Sequence, residues 1–328
     1  MNKLILLLIL IKIIFVIYYI SKKHTKRKNN FVKKEDYNMQ YNLYKIYNKN
    51  VIIPSSQILK WMYDFYEVPN IIYDYTLDVQ NEMGVNNTIW AMKKTNGKIN
   101  NDKINWEYYF YGLNLNGERT TRNLYKYNKK LHINNYYNKI HKKYFPKEDI
   151  NINELNKYEN KLIIYSVDVE PKYFEDKKIG NIDIYLHEGN NENIEMPYHC
   201  SCHSFNNNIK LKGDTNIYIM SDKNQRNIVY NTLRKYIDNP NKILLNNWEK
   251  IINISLCDKI YSNCISINYF GFDIDTFIMF LNKHNYNKQL IDNVIKNKDK
   301  LKTQSFEISE DYNKDTLQVV KTTIYGSF

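Results

Sequence analysis

Glycine is scarce, nine residues in 328, and none sits in a phosphate-cradling loop pattern. That removes nucleotide-binding loops of the glycine-rich kind. A nucleophile elbow and an H-E-x-x-H pair are absent as well, which removes the commonest signatures of serine hydrolases and zinc peptidases. Alanine occurs once, at Ala91, and arginine five times. With so much Asn, Lys, Ile and Tyr, this bias reflects an AT-rich coding sequence, so Asn runs and the 31 tyrosines carry little functional signal. The four cysteines include no C-x2-C pair.

Acidic residues are missing from positions 1 to 34, where nine of the 47 Lys and Arg residues lie. The remaining chain then holds 38 basic against 35 acidic side chains, so the formal charge of +12 is mostly an N-terminal feature. This argues against nucleic acid as a partner.

What is present at the N-terminus is the clearest signal in the chain. After a three-residue tail, Leu4 to Ile20 form an apolar run interrupted only by Lys12. At about 1.5 Å per residue, such a run approaches the ~30 Å hydrocarbon thickness of a bilayer. It predicts a single-pass signal-anchor helix over 4–20, with the Lys12 ammonium snorkelling along its stem. Tyr18 and Tyr19 suit the headgroup level, and Lys22, Lys23, Lys26, Arg27 and Lys28 follow at once. Positive charge stays on the cytosolic side, so the C-terminal body is expected to face the cytosol, with residues 22–28 against an anionic leaflet. A cleaved signal peptide fits less well, because the basic cluster follows the apolar core and no small-residue cleavage site succeeds it.

Residues 21–50 lack helical or strand periodicity and read as a basic, Asn/Tyr-rich tether, which leaves 51–328 for one α+β domain. Ser55 or Ser56 can cap a helix carrying Ile58, Leu59, Met62, Phe65 and Tyr66, stopped by Pro69. From Ile71 to Val79 the alternation of Tyr73, Tyr75, Leu77 and Val79 predicts a strand. Strands are also expected over 88–95, 104–111, 161–169 and 181–187, with helix across 118–145. Three hairpins follow: 200–211 with 216–220, 251–257 with 264–270, and 305–310 with 317–325. Helices are expected over 222–237, after Asp273 or Asp275, and around Leu290, Ile291, Val294 and Ile295. Residues 71–79 and 163–169 share an ending of hydroxyl, aliphatic, Asp, Val, a faint internal repeat.

These hairpins with interspersed helices define an antiparallel sheet with helices packed on it, and the open, layered form is the expected one. The alternative is closure into a barrel whose lumen would be lined by Asp78, Ser166, Asp168, Lys210, Lys212 and Lys321. In layout alone, over about residues 55 to 328, that alternative resembles the αββα barrels of soluble aromatic prenyltransferases. No motif of that family is present, so no catalytic role is carried across.

Candidate chemistry is sparse. His199, Cys200, Cys202 and His203 combine imidazole and thiol, the ligand types of zinc, but in an extended segment the two cysteines face one way and the two histidines the other. Small buried strand residues are the simpler account. Cys257 and Cys264 fall where cross-strand neighbours would. Asp78 and Asp168 occupy matching places in the faint repeat and could form a carboxylate pair in a cleft, or simply face solvent. Trp90, Trp106, Tyr108, Phe110 and Tyr111 could offer an aromatic surface. Two N-x-[ST] triplets, at Asn86 and Asn253, matter only if the body is luminal. The sequence thus supports a membrane-anchored structural or interaction protein that binds another protein. The other reading is a tethered enzyme or ligand binder with a polar cavity.

Overall fold

The computed structural model describes residues 70–83, 88–95, 103–111, 136–147, 150–158, 162–187, 198–206, 208–301 and 306–326. The expected anchor (4–20), the tether and the helix before Pro69 lie outside these residues. Among the described residues no helix is long and apolar enough to cross a membrane.

The first described element corrects the sequence reading. Asn70–Met83 is a helix, α1, rather than a strand. Tyr75 and Val79 satisfy a period of two and a spacing of four equally well. Ile72 decides the matter, because Ile72, Tyr75 and Val79 lie at i, i+3 and i+7 and are all fully buried, while Ile71 and Asp74 are exposed. Tyr75 meets Tyr144, Phe145 and Phe174 edge-on. The internal repeat therefore relates a helix to a strand and has no structural meaning.

Ten antiparallel strands follow: β1 (Thr88–Thr95), β2 (Lys103–Tyr111), β3 (Leu162–Val169), β4 (Ile182–His187), β5 (Tyr198–Asn206), β6 (Asn208–Ile219), β7 (Asn253–Lys259), β8 (Cys264–Phe272), β9 (Phe306–Asn313) and β10 (Val319–Gly326). Each pairs with its neighbour in sequence, and β10 pairs with β1 from Trp90↔Gly326 to Thr95↔Lys321. The curled sheet is thus closed rather than open, which disposes of the edge problem that a large antiparallel sheet would otherwise have.

One expected hairpin is displaced. The turn lies between Asn206 and Asn208, which pair with each other, so β6 runs uninterrupted through Gly213. The reading from sequence placed the turn near Gly213, but that glycine has a different task. Lys212 is the extra residue of a bulge, and a Cβ at Gly213 would stand 2.3 Å from the Asp258 carbonyl oxygen across β6–β7.

Helices cover one face of the sheet. A π-helical turn, Tyr136–His141, runs into the single turn Lys142–Tyr144, the described part of the helix expected over 118–145. Then come α2 (Ile152–Asn156), α3 (Pro171–Asp176), α4 (Lys223–Leu233), α5 (Ile274–Lys283), α6 (Lys288–Lys296) and α7 (Lys298–Leu301). Asp222, Asp273 and Asn287 cap α4, α5 and α6 through side-chain oxygens. The core lies between helices and sheet. Val229 and Leu233 from α4, Phe277 and Phe280 from α5, and Leu290 and Val294 from α6 share it with Ile254, Ile267, Tyr269 and Ile308 from the strands. Phe277 stacks on Phe306 at 4.6 Å. Ile295, expected on the inner face of α6, is 49% exposed, because at 100° per residue it falls beyond the stripe made by Leu290, Ile291 and Val294.

Candidate functional site: a polar wall on the helix-free face

Since side chains alternate along a strand, fixing the helix-facing residues fixes those that face inward. Leu256, Ile267, Glu310 and Thr322 are cross-strand neighbours on the helix side. Their sequence neighbours therefore line the lumen. One inward row passes from Cys200 through Thr215, Cys257, Ser266 and Asp311 to Lys321 and Thr95. A second passes from Ser255 through Asn268, Ser309 and Thr323 to Lys93. Ser166 and Asp183 continue the polar face on β3 and β4.

These residues are hydroxyls, amides, thiols and charges, and many are out of solvent: Ser166, Asp183, Thr215, Ser255, Ser266, Ser309, Asp311 and Thr323 are all buried. Buried charge is tolerated only when paired. Lys259 and Lys321 both reach Asp311 Oδ2, at 2.5 and 3.0 Å. Lys212 bonds both oxygens of Asp183 at 2.9 and 2.6 Å, and Lys93 bonds Asp168 at 2.8 Å. Burial alone would raise the Asp311 pKa. The Lys259 and Lys321 ammonium groups outweigh it and hold the carboxyl well below its ordinary value. Burial would likewise lower that of Lys259, but the Asp311 carboxylate reverses the sign and pushes it up. Among the described residues the buried Thr323 Oγ1 of this wall has no hydrogen-bond partner, while Thr215 bonds the Cys257 thiol and Ser266 the Asp311 carboxylate.

Of the residues proposed from sequence to line a lumen, Ser166, Asp168, Lys212 and Lys321 fall on this face. Lys210 lies exposed where the wall ends, and Asp78 is elsewhere, on α1. Lys143 and Tyr144 bind Asp78 at 2.5 and 2.6 Å, and the Lys143 hydrogen bond leads in lowering its pKa. The suggested pairing of Asp78 with Asp168 therefore fails on topology. One carboxylate fastens a helix to the turn at Tyr144, whereas the other holds Lys93 inside the sheet. The signal that sequence reasoning missed is on β9, where Glu310 and Asp311 stand in an otherwise ordinary strand. Two adjacent acids on a strand face opposite ways, and both faces here are buried.

Cys200 and Cys202 point inward, while His199 and His203 lie on the opposite face, where His203 Nε2 is 2.7 Å from Ser201 Oγ and His199 Nε2 is 3.4 Å from Asp214 Oδ1. Among the described residues no group of three or more His, Cys, Asp or Glu is placed to hold a metal, zinc included. All four cysteines are buried on the inward face and none is in a disulfide. Cys257 and Cys264 are diagonal neighbours rather than opposite ones, since Cys257 pairs with Ser266 and Cys264 with Lys259. Burial pushes the Cys202 and Cys257 thiols up, away from the reactive thiolate. The side chains of Trp90, Trp106, Tyr108, Phe110 and Tyr111 lie outside the described set. Asn253 of the second N-x-[ST] triplet sits in β7, paired on both sides, with Ser255 buried.

No protein-family model and no curated protein sequence matches the chain. The polar wall is therefore the feature from which function is read. The class it defines is a curled antiparallel β-sheet with helices on one face and a polar inner surface on the other.

Proposed function

We propose that this chain is a membrane-tethered ligand binder whose barrel-like body, with an αββα order of elements, takes a polar small molecule in its lumen. One observation carries the reading: the inward face is built from buried hydroxyl, amide, thiol and paired charged groups. A sheet closed only for stability would fill its interior with apolar side chains, because each buried polar group costs free energy unless it is satisfied. Ten strands also enclose more room than eight, the number whose interior side chains just fill. Ala91, Ser166, Ser255, Ser266 and Ser309 put small side chains on that face. The tether is the apolar run at 4–20, with Tyr18 and Tyr19 at the headgroups and the basic residues 22–28 on an anionic leaflet.

The test is extraction. Full-length protein is incubated with a small-molecule extract, separated from it, and denatured, and the released compounds are identified by mass spectrometry. A defined compound should be released by the wild type and be depleted in an Asp168→Asn, Asp183→Asn double variant that still melts cooperatively. Release of nothing above a denatured-protein control would overturn the reading.

The interaction-protein reading keeps one supporting observation. Leu211, Ile260 and Tyr261 are exposed near the β7–β8 turn, where the Ile260 amide bonds the Lys212 carbonyl at 2.8 Å. Three such side chains make a smaller patch than protein interfaces use, so the lumen is favoured.

A further inference from the structure

Antiparallel strands put the connections of the barrel at two ends. One end carries the long ones, including α4 and the segment α5 to α7. The other carries α3 and three short turns: β5–β6 at Asn206–Asn208, β7–β8 over residues 260–263, and β9–β10 after Asn313. Exposed turns favour Gly, Asn, Asp and Ser, and two of the three keep to polar residues, with Asn206 and Asn208 in one and Lys314, Asp315 and Thr316 in the other. The β7–β8 turn does not. Its tip opens with Ile260 and Tyr261, 52% and 73% exposed, the most exposed large hydrophobic side chains among the described residues, and the exposed Leu211 stands beside them on β6.

Backbone and side-chain bonds from both neighbouring hairpins hold this tip in place. The Ile260 amide donates to the Lys212 carbonyl at 2.8 Å, and the Lys314 amide donates to the Asn263 carbonyl at 2.9 Å. Asn263, in the left-handed region at φ 47°, also donates through its side-chain amide to Asp315 Oδ2 at 2.6 Å. None of these bonds uses the side chain of Ile260 or Tyr261, and neither side chain belongs to the core. Two apolar groups on a fixed turn lose little freedom when something covers them. Size and position select what that is. A stable protein interface takes about 800 Å² from each partner, far more than three side chains offer, whereas a bilayer rewards each apolar side chain that enters it. A tyrosine beside an isoleucine suits the headgroup boundary, with its ring in the apolar layer and its hydroxyl wet. The chain also enters the body at this end. Tyr75 of α1 meets Phe174 of α3 at 5.5 Å, while Met83 leads to Thr88, which pairs with Phe110 at the other end. α1 therefore runs away from the turns, and its first residues, Asn70 and the exposed Ile71, lie on their side.

We infer that Ile260 and Tyr261, with Leu211 beside them, insert into the bilayer surface and seat this end of the barrel on the membrane. This rests on the tether reading, which keeps a bilayer within reach, and adds a second contact to it. The lysines nearest the tip are engaged, Lys259 with Asp311 and Lys314 with Asp258, so the attraction is apolar and needs no anionic lipid.

The test uses the full chain in phosphatidylcholine vesicles. A fluorophore is placed on Ser262→Cys, exposed at the tip, or on Asp292→Cys, exposed on α6, and the wild type treated in parallel corrects for its four buried thiols. Nitroxide on the lipid tails should quench the label at 262 severalfold and leave the label at 292 unchanged. Ile260→Ser with Tyr261→Ser should bring quenching at 262 down to the level at 292 without moving the melting temperature, since both side chains are exposed. Equal quenching at the two sites would overturn the inference, as would quenching that survives the double variant. Energy transfer between labelled molecules in place of quenching would overturn it too and give the tip to a second copy of the chain. An alkaline carbonate wash reads the tether separately. Protein that washes off, yet was quenched at 262 beforehand, keeps the tip contact and removes the tether; protein retained without quenching keeps the tether and removes the tip contact.

Discussion

Glu310 and Asp311 are adjacent in the chain and stand back to back in the wall. Glu310 faces the helices, where His284 Nε2 and Lys283 Nζ approach its Oε1 at 2.6 and 2.7 Å. Asp311 faces the lumen and holds Lys259 and Lys321. Burial works against ionisation of both carboxyls, but the His284 hydrogen bond and Lys283 at Glu310, and Lys259 and Lys321 at Asp311, more than offset it, so both titrate below the ordinary carboxylate range. Removing one charge from such a group leaves its partners uncompensated. Asp311→Asn should therefore destabilise the protein by about 3 kcal/mol or more at pH 7, read as a lower urea midpoint. The sign with pH follows from linkage. A depressed folded pKa gives stability that is fully present above the unfolded value, near 3.8, and is lost as pH falls through the folded one. The gap between wild type and Asp311→Asn should persist down to about pH 5 and close only in stronger acid. A gap that closes between pH 5 and 7 would mean Asp311 is not held by the two lysines.

At the scale of elements, Lys94 shows how the sheet grips the helices. It is 2% exposed, on the helix side of β1, and its ammonium donates to the carbonyls of His284 and Asn285 at 2.6 and 2.9 Å. Those carbonyls end α5, where the backbone dipoles leave partial negative charge. The same turn is fastened by Tyr286, whose hydroxyl is 2.8 Å from Thr322 Oγ1 on β10. Lys94→Met keeps the stem and removes the charge. It should cost about 2 to 3 kcal/mol and speed amide exchange in α5 and α6 more than in β7, measured by mass spectrometry. Equal acceleration everywhere would instead make Lys94 a general stability residue. Most strands were legible in the sequence, because hairpin turns and alternation mark them locally: β1 matches its expected bounds, and β2, β3 and β4 differ by one residue at one end. So was the cap of α5, read as Asp273 or Asp275 and supplied by Asp273. The helix at 70–83 was not, since Tyr75 and Val79 fit both periods and the burial of Ile72 is a tertiary fact. Closure was not legible either. Whether β10 turns back to β1 depends on accumulated curl, and a strand with one polar face looks the same whether that face meets water or a lumen. For that reason the lumen's Ser166, Asp168, Lys212 and Lys321 could be listed in advance only as one alternative, and Asp311 was not singled out at all.

For the whole molecule, the placement of the body relative to a membrane decides what the thiols and the lumen can meet. On the proposed tether, the basic residues 22–28 that follow the apolar run would put the body on the side where positive charge is retained. None of the four cysteines is in a disulfide, and Cys257 and Cys264 are only diagonal across β7 and β8. Full-length protein in sealed vesicles, tagged at each end, should therefore lose its C-terminal tag to added protease without detergent. The N-terminal tag, and a fragment of a few kilodaltons around residues 4–20, should be protected. In the same vesicles a membrane-impermeant maleimide should label the folded body slowly and the urea-unfolded body at four sites, because the thiols are buried and their pKa values, where shifted, are raised. Protection of the C-terminal tag would reverse the orientation. The proposed ligand would then have to come from a secretory or enclosed compartment, and the Asn86 triplet would become a candidate acceptor. Digestion of both tags with no protected fragment would remove the tether itself and leave the body to be explained by its polar wall alone.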